Sequence, residues 1–76
     1  MKLIDGKKNK SYKLESITLD TAVKRRLEIL GMTVGTRLDI LEKKGRRAII
    51  IKCRSSRFAI GGNFAAGMEV TPWTDR

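Results

Sequence analysis

Arg26-Leu27-Glu28-Ile29-Leu30-Gly31-Met32-Thr33-Val34-Gly35-Thr36 reads as the end of a helix, a reversal and the entry to a strand. Val23, Leu27 and Leu30 fall at i, i+4 and i+7, one stripe of a helix over residues 20–30, with Leu27 and Leu30 expected in the core. Asp20 or Thr21 supplies the N-cap, because a short side-chain oxygen accepts an orphan backbone N–H there. Gly31 sits just past the last turn, where the left-handed C′ conformation favours glycine. Thr33-Val34-Gly35-Thr36 places glycine third in a four-residue turn, the position where a type II turn needs positive φ.

Outward from this stretch the chain reads as short strands. Residues 12–19 form the first, with Leu14, Ile17 and Leu19. Leu14 and Ile17 differ in parity, so both face inward only if the strand bulges between them. Residues 37–43 follow, with Leu38 and Ile40 on one face and in the core. Lys44-Gly45 reverses the chain into the β-branched strand 46–53, giving a hairpin. Arg54-Ser55-Ser56 connects to residues 57–60, with Phe58 and Ile60 inward. Gly61-Gly62-Asn63 breaks that strand, residues 64–67 suffice for one helical turn, and Met68-Glu69-Val70 alternates as a last strand. Phe64 is expected to cap the barrel. Residues 1–11 read as polar and basic, with a turn at Gly6. The pattern predicts an all-β fold: a small β-barrel of SH3-like type, about five short strands with one inserted α-helix. Closure suits so small a chain because it removes exposed strand edges.

Composition narrows function by exclusion. At 76 residues the chain supports one domain, expected over residues 1–76, and roughly 60% burial of its unfolded surface. It has no His and one Cys. The usual neutral-pH general base and the commonest neutral metal ligand are therefore missing. Asp39 and Glu42, the closest acidic pair, are expected on opposite strand faces from their odd separation. We expect no catalytic residue, no metal site and no cofactor, and so no enzyme. Cys53 reads as a small core or strand-end residue. One Cys forms no intramolecular disulfide, and there is no apolar signal segment, so cytoplasmic localisation is expected. The longest apolar run, Ala48-Ile49-Ile50-Ile51, is far short of the ~20 residues that span a bilayer.

Charge is the strongest positive signal. The chain carries 17 Lys and Arg against 8 Asp and Glu, a net charge of +9. Residues 43–57 hold seven basic side chains and no acid: Lys43, Lys44, Arg46, Arg47, Lys52, Arg54 and Arg57. Lys24, Arg25 and Arg26 form a second cluster on the helix. Such patches steer acidic partners and bind phosphates; a solvated surface is the plain alternative. Tyr12 and Trp73 are candidates for exposed aromatics but belong to no base-stacking motif.

The stretch from Arg26 to Thr36 resembles the R-L-x-x-L-G-[FLM]-x-P-G-T signature of the ferrous iron transport protein A (FeoA) family. Arg26, Leu27, Leu30, Gly31 and Gly35 carry the match, and the resemblance extends over residues 14–70. Val34 stands where the family often has Pro, and the Lys44-Gly45 connection is shorter and more basic than the family's. The resemblance implies an SH3-like barrel with an inserted helix. It also implies a small cytoplasmic accessory to the large membrane ferrous iron transporter (FeoB), with transition-metal binding attached to the family as a whole. Similar domains end metal-dependent repressors, but no DNA-binding helices precede this one, so such a repressor is not expected. On this reading the partner contacts are Lys24, Arg25, Lys43, Lys44, Arg46 and Arg47, facing an acidic surface without membrane insertion. Two alternatives are a nucleic-acid-binding small β-barrel, resting on the basic run, and an iron-binding chaperone.

Overall fold

The computed structural model describes residues 1–74. One turn of 3-10 helix, Leu3–Asp5, precedes β1 (Ser11–Ile17), α1 (Thr21–Ile29), β2 (Arg37–Lys44), β3 (Ala48–Cys53), β4 (Ser56–Gly61), the single turn α2 (Gly62–Ala65) and β5 (Met68–Pro72). The strands form one antiparallel sheet in the order β4-β3-β2-β1-β5. The all-β reading, the five strands and the inserted helix agree with the sequence pattern.

Two irregularities bend the sheet. β1 shifts register against β5 between Leu14 and Ser16, so Leu14 and Ile17 are both buried despite their parity. β2 shifts against β3 between Ile40 and Glu42. That second shift corrects the expectation for Asp39 and Glu42. Their cross-strand partners, Lys52 and Ile50, lie two apart on β3, so the two carboxylates share a face.

The core is contiguous: Leu14, Met32, Leu38, Ile40, Ile49, Ile51, Ala65, Met68 and Val70 are fully buried. Cys53 joins them at the end of β3. Leu3 and Ile4, read as part of a polar segment, are also in the core. Their segment is pinned by a bridge between Lys2 and Glu69 and by the Lys43 ammonium donating to the Gly6 carbonyl at 2.7 Å. Tyr12, taken as a candidate exposed aromatic, is buried; its hydroxyl accepts the Lys7 N–H at 2.8 Å. It shares a face with Leu14, which is why it turns inward. Phe58 is half-buried against the core, whereas Phe64 is 44% exposed on α2 and does not seal the barrel.

The helix end decides how α1 joins the sheet. Asp20 is the N-cap, accepting the Val23 N–H at 3.0 Å. At the other end Met32 N–H donates to the Leu27 carbonyl and Gly31 N–H to that of Glu28, both at 3.0 Å. With Gly31 at φ +105°, this is a Schellman motif. The buried pair Leu27 and Met32 supplies its hydrophobic contact. Met32 thereby takes the core position that the next turn of the apolar stripe would have filled. Leu30, expected in the core, is instead the C-cap and 44% exposed.

Gly31 is fixed from outside as well. Its carbonyl oxygen accepts from Arg54 Nε at 3.1 Å, Thr36 Oγ1 at 3.4 Å and Cys53 Sγ at 3.7 Å. A Cβ there would meet the Arg54 Cδ at 2.9 Å. The turn delivering Arg54 has two non-glycine residues at positive φ, Arg54 (51°) and Ser55 (73°), between the paired Cys53 and Ser56. Such a two-residue hairpin loop normally recruits Asn-Gly. At the far end of β3, Gly62 admits the chain against the Arg46 carbonyl, where a side chain has no room, and donates to the Arg47 carbonyl at 2.7 Å.

Gly31→Ala is therefore expected to destabilise the fold by about 1–3 kcal/mol, through the left-handed backbone and the displaced Arg54 stem. Gly62→Ala, which meets backbone, costs more than Gly31→Ala, which meets a flexible side chain. Urea unfolding of the two variants checks the order.

Candidate interaction surfaces

The structure divides the predicted contact residues into two sets. Lys43, Lys44, Arg46 and Arg47 gather at the β2–β3 turn, which Gly45 closes at φ +60° and Arg47 N–H locks by donating to the Lys44 carbonyl at 3.1 Å. Two of the four are engaged. Lys43 holds the Gly6 carbonyl, and Arg46 pairs with Asp5 at 2.9 Å. Lys44 and Arg47 are exposed and form no ion pair among the described residues.

Lys24 and Arg25 lie on α1, whose C-terminal end docks on the Arg54 turn. That turn and the basic tip flank opposite ends of β3, roughly 17 Å of strand apart. Lys24, Arg25 and Arg26 are exposed and likewise unpaired among the described residues. The signature residues are architectural in part: Leu27 is buried, Gly31 and Gly35 (φ +91°) carry the reversals, and Thr36 N–H closes the turn on the Thr33 carbonyl at 3.1 Å.

What the sequence reading missed is apolar. Ile29 is 79% exposed and Val34 68%, and both flank the half-exposed Leu30. A shallow groove along α1 is lined by Thr21, Ala22, Arg25, Arg26 and Ile29. The signal was present, since Ile29 falls off the stripe formed by Val23, Leu27 and Leu30.

A second groove lies between the N-terminal segment and the ends of β1 and β5. Its walls include Lys7, Tyr12, Arg37, Pro72 and Trp73, with the Arg37 guanidinium 5.7 Å from the Trp73 ring centroid. Beside it, Asp39 accepts from Ser11 Oγ at 2.6 Å and Arg37 Nε at 2.9 Å. Burial raises the Asp39 carboxyl, but these two hydrogen bonds and the charges of Arg37 and Lys52 together outweigh it and hold the group below its ordinary value. The Cys53 thiol is pushed up, chiefly by burial. Among the described residues no three His, Cys, Asp or Glu side chains group to hold a metal, and no helix is long and apolar enough to cross a membrane.

The FeoA domain family matches residues 1–72. The chain belongs to the FeoA family. Among solved structures, the FeoA protein from Chlorobium tepidum is 28% identical with a TM-score of 0.90, covering 97% of this chain and 71% of that one. The zinc complex of Stenotrophomonas maltophilia FeoA is 26% identical with a TM-score of 0.82, covering 93% and 89%. That protein is described as a prokaryotic SH3 domain protein and a candidate activating factor of bacterial ferrous iron transport. A manganese-dependent transcriptional repressor shares the fold at 17% identity and a TM-score of 0.85, over 96% of this chain but 41% of its own. No curated protein sequence matches the chain. The SH3-like class follows from these likenesses and the five-stranded sheet together.

Because the Asp39 carboxyl is lowered on folding, its stabilisation is present above the ordinary carboxylate range and is lost as pH falls through the folded value. Stability is expected to decline below about pH 4. Asp39→Asn should flatten that decline, as read by urea midpoints between pH 7 and pH 2.5.

Proposed function

We propose that this FeoA-family chain is an accessory of ferrous iron uptake that docks on the cytosolic part of a membrane ferrous iron transporter and modulates it. The family match over residues 1–72 carries the reading, and the description of the Stenotrophomonas relative supports it. The net charge of +9 suits an acidic docking surface and speeds encounter with it. The contact residues are Lys24, Arg25, Lys43, Lys44, Arg46 and Arg47. The protein acts as a single cytoplasmic binding domain, with no catalytic step and no resident metal of its own.

A second reading rests on one specific observation. Lys52 stands directly opposite Arg57 on the outward face of the sheet. Like charges so placed are unfavourable, and a polyanion such as single-stranded nucleic acid relieves them.

The two readings separate in one set of titrations. Full-length transporter in detergent is expected to bind the chain, and Glu at Lys24, Arg25, Lys44 and Arg47 to weaken binding at least 10-fold. Lys43 and Arg46 are spared because they hold Gly6 and Asp5. Unchanged affinity rules out this surface. Binding of single-stranded nucleic acid with a log–log salt slope of about −0.7 per phosphate contacted favours the second reading instead.

A further inference from the structure

The helix α1 is poorly explained as a piece of the core. Of its nine residues only Leu27 is buried, and Val23 is half-buried against the core. Ordering a helix costs about 1–2 kcal/mol of backbone entropy per residue, and α1 recovers little of that by burial. Yet its termini are built with care. Asp20 caps one end, and Gly31, Met32, Cys53, Arg54 and Thr36 fix the other. A firmly held helix that buries one side chain presents the rest of its surface.

That surface has a definite chemistry. Among the described residues, three of the five exposed large apolar ones, Ile29, Leu30 and Val34, lie within six positions at its C-terminal end. Ile29 shares a groove with Arg25 and Arg26, and Lys24 adjoins them in sequence. Glu28 is the only acid between Thr21 and Val34. Apolar anchors bordered by unpaired cations match the anatomy of a protein-binding patch, an apolar centre within a charged rim. The β2–β3 tip is the weaker candidate: two of its four cations hold the N-terminal segment, and it offers no exposed large apolar residue.

We infer that α1 and the turn after it are the docking face, with Ile29, Leu30 and Val34 as anchor and Arg25 and Arg26 as rim. The occupant is an apolar pocket edged by carboxylates on the cytosolic part of the transporter. The inference rests on the docking proposed above and narrows it from six cations on two elements to one helix face. An acidic edge answers the cations, and the exposed Ile29 requires an apolar centre rather than a purely ionic one.

Three variants test it against full-length transporter in detergent: Ile29→Ser with Val34→Ser, Arg25→Gln with Arg26→Gln, and Lys44→Gln with Arg47→Gln. All six positions are exposed, so unfolding midpoints are expected to stay close to wild type. The apolar pair should lose about 30-fold or more in affinity at any salt concentration. The arginine pair should lose mainly association rate, and less at high salt. The tip pair should stay within threefold. Loss confined to the tip pair, or wild-type affinity in the apolar pair, overturns the inference and leaves docking standing. Absence of binding by the wild-type chain overturns both. Self-association that the apolar pair abolishes, seen by sedimentation equilibrium, gives the face to a second copy and also overturns it.

Discussion

The Gly31 carbonyl is where the parts of this protein meet. Three side chains donate to it, two from the β3–β4 hairpin and one from Thr36, the residue just before β2. The oxygen closes a helix whose own residues bury almost nothing, so the helix depends on it. Thr36 extends the contact inward. It is a buried polar residue whose hydroxyl also meets Thr33 Oγ1 at 3.0 Å and Arg54 Nη2 at 3.5 Å. A buried hydroxyl left without partners would be costly. Here it is satisfied by the elements that must be joined.

The same node accounts for the odd backbone at Arg54 and Ser55. Two non-glycine residues at positive φ are unfavourable, by about 1–3 kcal/mol each where the surroundings enforce it. An Asn-Gly turn would have avoided that strain but would have removed the guanidinium that reaches Gly31. The glycine is thus placed at the receiving side of the contact, where the Arg54 stem crosses, and not in the turn that makes it. Local backbone preference yields to a tertiary contact.

This explains which parts of the fold were legible in the sequence. The Asp20 cap, Gly31, the Gly35 turn and the bulge required by Leu14 and Ile17 are local, and each follows from two or three residues. Leu30 was misplaced because periodicity assumes the helix continues, whereas the Schellman reversal hands its place to Met32. Leu3 and Ile4 were missed because two adjacent apolar residues have no period to read. Tyr12 was legible from its parity with Leu14 and needed only that argument. The shared face of Asp39 and Glu42 was hidden by a bulge that no residue type announces. For the candidate contacts, charge was visible and accessibility was not: nothing in the sequence shows that Lys43 is committed to Gly6 or Arg46 to Asp5.

Charge and shape then take different roles. With no His, the chain lacks the side chain that titrates between pH 5 and 8, so pH changes in that range leave its attraction for acidic surfaces largely unaltered. A constant field brings partners together but discriminates poorly among anions, because any acidic surface answers it. Discrimination needs something that desolvates, and the exposed apolar side chains at the end of α1 are what the structure offers. The sharp turn that lifts Leu30 out of the core leaves it exposed next to Ile29 in the chain and four residues before the exposed Val34. The step that anchors the helix to the barrel is thus also the step that puts its apolar end in solvent.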